Sequence, residues 1–468
     1  MNRIILVVPE RSAGWGSGTI NPLLVDVEWQ CHASLCAAGV PVDVIGEQAL
    51  LSGAETKDAL VVLASPSPSL RTSVEEHLAR GGGRLLIAND RSREGARRAV
   101  WRPRTLRGVS ARLRLGLRRS PRHARSGLRR LISGARPFTA LRPERGEAVL
   151  ARWGSGGLAA LVTGNRGGFT CWRSGFSLDH LDIPAFELLL ETLEVAETKG
   201  IRSCDPVPGK KRAVVLLLHD VEDPLEGDSR GTRTVIAGIE ACLDAERRHG
   251  FATTYNLVGK FAETIPESIR QIAKEGHELA SHGSTHSVMA DLDPDRLRRD
   301  VLEAEQSVER ICGVRIRGFR SPRSRWSVPL LDCLATRDYL WNAEADVSPF
   351  PYPVPRPGAG SLLRIPVALD DWDFVKLGSS PRQVLAAWKA EVRWAIERRC
   401  WVGVGSHPSV LGIDPGRMAM YSDFLAWLSA ENVAVMTHTG AAAWWRNRKN
   451  GSAGTSGERG ERCAQTSM

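Results

Sequence analysis

Residues 213–223 read AVVLLLHDVED, an apolar run that ends in a histidine and three acids. A short, unbroken apolar run is typical of a strand buried on both faces of a parallel sheet. Similar runs follow it, and helical patterns separate them. They are ATTYNLVG (252–259), HELASHG (277–283), RIRGFRSP (315–322), SLLRIPVAL (361–369), CWVGVGSHP (400–408) and VAVMTHTG (433–440). About seven strand–helix units in this half predict an α/β fold, a distorted (β/α)7–8 barrel.

Polar side chains that can carry chemistry follow these runs at their carboxyl ends. Because those ends of parallel strands meet on one face of a barrel, we expect the side chains to lie together there. They are Asp220, Glu222, Asp223, His282, His286, Arg320 and His407.

His282 and His286 are four residues apart in HGSTH. This spacing predicts two imidazoles on one side of a helical turn, where both can bind a single cation. A carboxylate from the first strand would complete the three protein ligands of a catalytic zinc-type site. Two ordinary loop or core histidines are the alternative.

From about residue 212 to 446 the chain resembles the polysaccharide deacetylase (NodB homology) family of metal-dependent carbohydrate esterases. The matching pieces are LLLHDVEDP, ATTYNLVG, GHELASHGSTH, GFRSPR, PVALDDWDF and VGSHP, which occur in the family's order. The resemblance implies a distorted (β/α) barrel and removal of an acetyl group from an N-acetylated sugar. It also implies a divalent metal, with Zn²⁺ expected and Co²⁺, Mn²⁺ or Ni²⁺ as alternatives.

The resemblance further implies a role for each matching residue. Asp220 is the general base, Glu222 (or its neighbour Asp223) the acidic metal ligand, and His282 and His286 the two metal histidines. Arg320 pairs with the base. Asp371 (or Asp370) orients His407, the general acid, and Trp372 binds substrate.

Two departures from the family pattern leave the substrate open. The opening motif is HDVED rather than an Asp-Asp pair, which favours a second hypothesis, hydrolysis of a cyclic imide or ureide. Arg323 stands where an aromatic residue often follows the proline, so it could bind a phosphate or another acidic group on the substrate. An outward, salt-bridging side chain is the alternative. A third hypothesis is a non-catalytic carbohydrate-binding or membrane-scaffold protein.

The tryptophans near these motifs allow two interpretations. Trp326, Trp341, Trp372 and Trp401 could stack on a sugar, although core packing is the more common role of a single tryptophan.

Residues 1–200 show strand runs such as RIILVVP (3–9) and ALVVLASP (59–66), separated by helical patterns. This alternation predicts an open parallel α/β domain, Rossmann- or amidotransferase-like and non-catalytic, with hairpin strands near its end. Residues 201–212 then read as a linker, 213–446 as the catalytic barrel, and 447–468 as a disordered tail.

The net charge of +10 is concentrated in one segment. Residues 91–136 contain 16 arginines and a single acid, so the rest of the chain is slightly acidic. Leu106, Val109, Leu113 and Leu117 recur at helical steps within this insert. They predict a basic amphipathic helix that contacts an anionic membrane or, alternatively, docks on the N-terminal domain. Little aromatic interleaving argues against nucleic acid.

The N-terminus reads as a first strand rather than an export signal. Nine scattered cysteines without a CxxC pair are typical of reduced, buried thiols. We therefore expect a cytoplasmic enzyme, peripheral to the inner face of the membrane if the insert binds lipid.

Overall fold

The computed structural model describes residues 3–8, 31, 35, 42–64, 66–88, 90, 112–115, 129–130, 141–153, 158–176, 178, 189, 193, 206–345, 350–354 and 362–447. These residues form two nine-stranded sheets, one in each half of the chain.

The first sheet is mixed. Its strands are β1 (Arg3–Val8), β2 (Val42–Gly46), β3 (Ala59–Ala64), β4 (Arg84–Ala88), β5 (Arg112–Leu115), β6 (Arg129–Arg130), β7 (Ala148–Trp153), β8 (Leu158–Arg166) and β9 (Phe169–Ser174), in the order β2-β1-β3-β4-β9-β8-β7-β5-β6. The pairs from β2 through β9 are parallel, as expected. The four strands beyond β9 pair antiparallel. The hairpin strands expected near the end of this half are confirmed by β7, β8 and β9, whereas a wholly parallel sheet is wrong.

Alternation along the parallel strands divides their apolar side chains between two clusters. Leu60 and Val62 of β3 belong to one cluster, whereas Val61 and Leu63 belong to the other. Helix α2 (Pro68–Gly81) contributes Val74 to the second cluster. Helix α1 (Glu47–Leu51) follows β2. The sheet is therefore buried on both faces, which explains the unbroken apolar runs.

The second sheet is parallel, curled and built from the C-terminal half. Its strands are β10 (Ala213–Val221), β11 (Thr254–Leu257), β12 (Glu278–Ser281), β13 (Gly318–Arg320), β14 (Trp341–Ala345), β15 (Tyr352–Pro353), β16 (Leu363–Val367), β17 (Trp401–Ser406) and β18 (Val433–Met436). The order is β15-β16-β14-β13-β12-β11-β10-β17, with β18 also on β10, and only the short β15 is antiparallel. A bridge from Leu369 to Val404 links the chain beyond β16 to β17.

Helices connect these strands. They are α3 (Thr232–His249), α4 (Gly259–Ala262), α5 (Pro266–Lys274), α6 (Pro294–Cys312), α7 (Val328–Thr336), α8 (Asp373–Lys376), α9 (Pro381–Arg398), α10 (Pro408–Leu411), α11 (Pro415–Ala430) and α12 (His438–Asn447). Helix α6 begins and ends as its sequence predicts. The Asp293 carboxylate accepts hydrogen bonds from two backbone N–H groups of the first turn, and Gly313 ends the helix at a φ of 66°.

Strand β14 has no counterpart among the strands expected from the sequence. Its residues WNAEA lack the apolar run of its neighbours, because Asn342 and Glu344 alternate with apolar residues. Both polar side chains are fully buried, and the carboxylate of Glu344 accepts hydrogen bonds from Asn342 and Ser321. Hydrogen bonds thus accompany polar residues where an apolar pattern would be expected.

The arginine-rich insert differs from its prediction. Arg112–Leu115 forms β5, which pairs antiparallel with β7, so the amphipathic helix is wrong for these residues. Apart from β5 and Arg129–Arg130, the insert lies outside the described residues, as do residues 201–205 of the expected linker and 448–468 of the expected tail. Among the described helices, none has the length and apolarity needed to cross a membrane. Cys171, Cys242 and Cys333 are buried free thiols.

Candidate active site

The expected base lies at the carboxyl end of β10, and the expected acid lies directly after β17 on the neighbouring strand. β10 and β17 pair in parallel, with His219 opposite Ser406. Asp220 and His407 therefore follow an aligned pair of residues, and both side chains are buried. The curled parallel sheet thus brings together residues that are 187 positions apart.

Asp220 is held by two donors. The Arg320 Nε–H group donates to Oδ2 at 2.6 Å, and the Asn256 amide donates to Oδ1 at 2.7 Å. Burial is the largest effect and raises the pKa of the Asp220 carboxyl, but the charge and hydrogen bond of Arg320 and the charges of two nearby histidines together outweigh it and leave the pKa well below its usual value. Asp220 is therefore ionised at neutral pH, as a general base must be.

His407 is held by Asp371. The imidazole Nδ1 lies 2.6 Å from Asp371 Oδ1, and the His407 backbone N–H donates to Oδ2 at 2.9 Å. Burial is the largest effect and lowers the pKa of His407, but the charge and hydrogen bond of Asp371, together with the charges of two further carboxylates, outweigh burial and raise the pKa to about 10. Asp370 instead accepts a hydrogen bond from the Trp372 backbone N–H. Asp371 is thus the acid of the pair that contacts His407.

Glu222, His282 and His286 form one group of potential metal ligands. Their ligand atoms all lie within 4.8 Å of one another. Glu222 Oε2 is 2.7 Å from His286 Nε2 and 3.8 Å from His282 Nε2. Glu222 is buried, whereas its neighbour Asp223 is exposed. The structure therefore brings Glu222, and not Asp223, to the two histidines.

The donor atoms fit a divalent cation. His282 Nδ1 lies 2.9 Å from the carbonyl oxygen of Arg320, so Nδ1–H donates there and Nε2 keeps its lone pair for a metal. Burial lowers the pKa of His282 to about 4, which keeps the ring neutral at physiological pH. Two imidazoles and one carboxylate match the protein ligands of a catalytic zinc-type site.

The histidines meet in a loop rather than on a helical turn, so that part of the prediction is wrong. Gly283 and His286 have φ values of 78° and 57°, which lie in the left-handed region. A Cβ atom at Gly283 would lie 2.5 Å from the Met289 side chain. The loop is fixed by Asp300 of α6, whose carboxylate accepts from the Ser284 N–H and the Thr285 hydroxyl.

Of the two expected substrate-binding residues, Trp372 contacts this centre. Trp372 is partly buried, and its ring centroid is 5.1 Å from that of His407. Arg323 is exposed at the turn after β13, with a φ of 58°. Trp326, Trp341 and Trp401 are buried, so core packing is the better interpretation for them.

Asn256 and Asp300 were not among the residues expected from the sequence. Asn256 is a polar residue in a buried strand, ATTYNLVG, which the chain places beside the Asp220 strand. An isolated buried amide of this kind signals a hydrogen-bonding role. Asp300 has no such signal, because it lies among the many charged residues of α6.

Fold and site together define the class of the C-terminal half. It is a curled, parallel α/β sheet that carries an acid–base pair and a His/His/Glu group at the carboxyl ends of its strands. Comparison with known proteins adds a match within this half: residues 233–339 match the polysaccharide deacetylase family model. The site residues Asp220, Glu222, Asp371 and His407 lie outside the matched segment.

Two curated relatives of this chain are deacetylases by name. The chitooligosaccharide deacetylase of Bradyrhizobium sp. (strain ANU 289) is 29% identical over 147 residues, which cover 29% of this chain and 66% of the relative. The peptidoglycan-N-acetylglucosamine deacetylase of Bacillus cereus is 30% identical over 80 residues, or 17% of this chain and 29% of the relative. The chain thus spans less than two thirds of the length of these relatives.

Solved structures match a larger share of the chain. A protein of Mycobacterium smegmatis that is assigned to the polysaccharide deacetylases shares 25% identity, with a TM-score of 0.49 over 56% of this chain and 98% of its own. PuuE allantoinase shares 19% identity, with a TM-score of 0.47 over 52% of this chain and 93% of its own.

Proposed function

We propose that this protein is a metal-dependent deacetylase that removes an acetyl group from an N-acetylated sugar, with a distorted (β/α) barrel as its catalytic domain. One observation carries the proposal. An ionised carboxylate and a protonated imidazole lie 3.6 Å apart, next to three ligands suited to one divalent cation. Amide hydrolysis needs a base, an acid and stabilisation of an oxyanion, and these residues provide for each requirement.

The chain's own groups have distinct tasks in this reaction. A divalent metal held by Glu222, His282 and His286 would supply a Lewis acid, with Zn²⁺ as the first expectation. Asp220 accepts the proton of the attacking water, and Arg320 and Asn256 keep its oxygens in place. His407 donates a proton to the departing nitrogen, while Asp371 fixes its orientation and its charge.

We infer the sugar from the names of the relatives and from an exposed residue near the site. The relatives act, by name, on chitooligosaccharides and on peptidoglycan N-acetylglucosamine. Arg323 replaces an expected aromatic residue and is exposed. Its guanidinium is suited to a phosphate or carboxylate. We therefore propose an N-acetylated oligosaccharide, glycolipid or lipid-linked glycan that carries an acidic group.

Acetate release tests the proposal directly. Purified protein, loaded with Zn²⁺, Co²⁺, Mn²⁺ or Ni²⁺ in turn, is incubated with chitooligosaccharides and with N-acetylglucosamine substrates that carry a phosphate. We expect acetate and free amine in equal amounts with at least one metal, and none after chelation. Protein that binds no divalent metal in any of these conditions contradicts the proposal.

Hydrolysis of a cyclic imide or ureide is a second candidate, favoured by one observation. The carboxylate in the ligand group is Glu222 of an Asp-x-Glu sequence, not the second residue of an Asp-Asp pair. Ring opening of a cyclic ureide by the same metal-loaded protein, measured in parallel with acetate release, separates the two reactions.

Membrane contact through the insert remains a prediction. Because β5 belongs to the sheet, arginine-to-glutamine substitutions at Arg118, Arg119 and Arg122 are a gentler test than deletion. Weaker sedimentation of this variant with anionic vesicles would support membrane contact.

A further inference from the structure

The outer side of the β10–β17 pair carries a buried polar network that the reaction does not use directly. His219 Nε2 lies 2.6 Å from Glu246 Oε1, and Ser406 Oγ lies 2.7 Å from His219 Nδ1. The Tyr421 hydroxyl donates to Glu246 Oε1 at 2.6 Å, and the Tyr255 hydroxyl donates to Oε2 at 2.8 Å. Both oxygens of one carboxylate are thus occupied by side chains from separate elements.

These five residues lie on elements that surround the active site. Glu246 is on α3, His219 on β10, Tyr255 on β11, Ser406 on β17 and Tyr421 on α11. None is more than 2% exposed. A Ser–His–Glu series has the composition of a hydrolytic triad, but His219 and Ser406 precede the proposed base and acid on paired strands, so their side chains point to the face opposite the proposed reaction centre. A positioning role fits the burial.

Strand register connects the network to the acid and the base. His219 pairs with Ser406 across β10 and β17. Asp220 directly follows His219, and His407 directly follows Ser406. Successive side chains of a strand point to opposite faces, so the bond between His219 and Ser406 lies behind the contact between Asp220 and His407. Anything that shifts one strand along the other changes both contacts together.

The Glu246 carboxylate at the centre of this network is buried and ionised. Burial raises the pKa of Glu246, but the charge and hydrogen bond of His219 and the hydrogen bond of Tyr421 outweigh burial and lower it. A buried carboxylate with several donors is rigid, because the loss of any donor leaves an uncompensated charge. Helices α3 and α11 are thereby bound to the two catalytic strands.

We propose that Glu246, through His219 and Ser406, is a positioning residue that sets the distance between the general base Asp220 and the general acid His407. The inference rests on the proposed deacetylase function. Its consequence is specific: disruption of the network lowers kcat, because the reacting groups are misplaced, while the metal ligands and the substrate rim stay intact.

Four variants test the positioning role. Glu246→Leu removes every hydrogen bond of the carboxylate, Ser406→Ala removes only the bond between the strands, and Glu246→Gln keeps the shape and an acceptor for His219. Ile269→Ala is the control, since it creates a cavity in the apolar cluster that includes Tyr255 but removes no hydrogen bond of the network. Acetate release from chitooligosaccharide gives kcat and KM, thermal melting gives stability, and elemental analysis gives metal content.

We expect kcat to fall on the order of 10²-fold in Glu246→Leu and about tenfold in Ser406→Ala, with KM and metal content close to wild type. Glu246→Gln should recover most of kcat, and Ile269→Ala should lose stability with kcat unchanged. If Glu246→Leu fails to fold, Ser406→Ala decides the question.

The outcomes separate the inference from the function on which it rests. An inactive wild type overturns the proposed function and the inference with it. An active wild type whose Ser406→Ala variant keeps its full kcat overturns the inference alone. A kcat loss in Ile269→Ala that matches its stability loss would also overturn it, because general destabilisation would then explain the effect.

Discussion

His407 Nε2 lies 3.6 Å from Asp220 Oδ2, on the strand next to it. This distance is too long for a hydrogen bond, and each group has a closer partner of its own. The charge of Arg320 favours the ionised form of Asp220, and the charge of Asp371 favours the protonated form of His407. Two neighbouring side chains therefore carry opposite charges. The roles that we propose for this pair are those of a base and an acid that act on the same bond.

Replacement of the base tests that assignment. Asp220→Asn keeps the shape and can still accept one of the two hydrogen bonds, but it removes the proton acceptor, so we expect kcat to fall on the order of 10²–10⁴-fold. Metal content should stay near wild type, because Glu222, His282 and His286 are unchanged. Steady-state acetate release and elemental analysis check both expectations.

Asp223→Asn is the matched control for Asp220→Asn, since the side chain is exposed and only three residues away. It should leave kcat unchanged. Comparable losses in the two variants would show that the effect comes from the loop as a whole rather than from the base.

The pKa of His407 predicts a pH profile. The active form is protonated, and the folded pKa of about 10 lies above the ordinary value of about 6.5. Activity and the stability from the Asp371 pair should therefore persist through neutral pH and decline as pH rises toward about 10. In Asp371→Asn the carboxylate charge is lost, so the alkaline decline of kcat/KM should move to lower pH.

Asp370→Asn is the control for this measurement, because Asp370 accepts a hydrogen bond from the backbone N–H of Trp372 and makes no hydrogen bond to His407. Its alkaline limb should stay within the range of the wild type. An unshifted limb in Asp371→Asn would remove Asp371 as the source of the raised pKa.

The sequence predicts this site better than it predicts the geometry around it. Apolar strands followed by acids and histidines indicate both the parallel sheet and the face where Asp220, Arg320 and His407 meet. The spacing of His282 and His286 correctly predicts that the two imidazoles lie close together. It predicts the wrong backbone conformation, because a turn with left-handed residues can also bring two side chains together. The turn depends on Gly283 and on the distant Asp300, which no local pattern connects.

Buried polar contacts explain what the sequence misses elsewhere. The hydropathy pattern does not predict β14, because Asn342 and Glu344 are buried polar residues. Their hydrogen-bond partners lie in β13 and directly after it. The Glu246 network likewise joins residues up to 202 positions apart, such as His219 and Tyr421. Residue type and periodicity cannot supply such pairings, since they arise only when the sheet has formed.

Metal binding should depend on Glu222 and not on its neighbour. Glu222→Ala removes one of three ligands, and we expect bound metal to fall at least tenfold at limiting metal concentration, whereas Asp223→Ala should bind normally. Elemental analysis after dialysis against a fixed low concentration of Zn²⁺ distinguishes the two variants. Equal metal loss in both would indicate that both acids hold the metal, and no loss in either would indicate that each acid can replace the other.

The close contact between α3 and α10 makes the position of His407 sensitive to a single methyl group. A Cβ atom at Gly238 would lie 2.1 Å from the backbone oxygen of Pro408, the residue that follows His407. Alanine favours a helix by about 1 kcal/mol over glycine, but this clash exceeds that gain, so Gly238→Ala should destabilise the fold by about 1–3 kcal/mol. Glu240→Ala, at an exposed position of the same helix, should stay within about 0.5 kcal/mol of wild type.

Because Pro408 can move only together with His407, kcat should fall in Gly238→Ala at temperatures where the variant is fully folded. Urea unfolding and acetate release measure the two effects, and a Gly238→Ala protein as stable and active as wild type would show that the helices separate without cost.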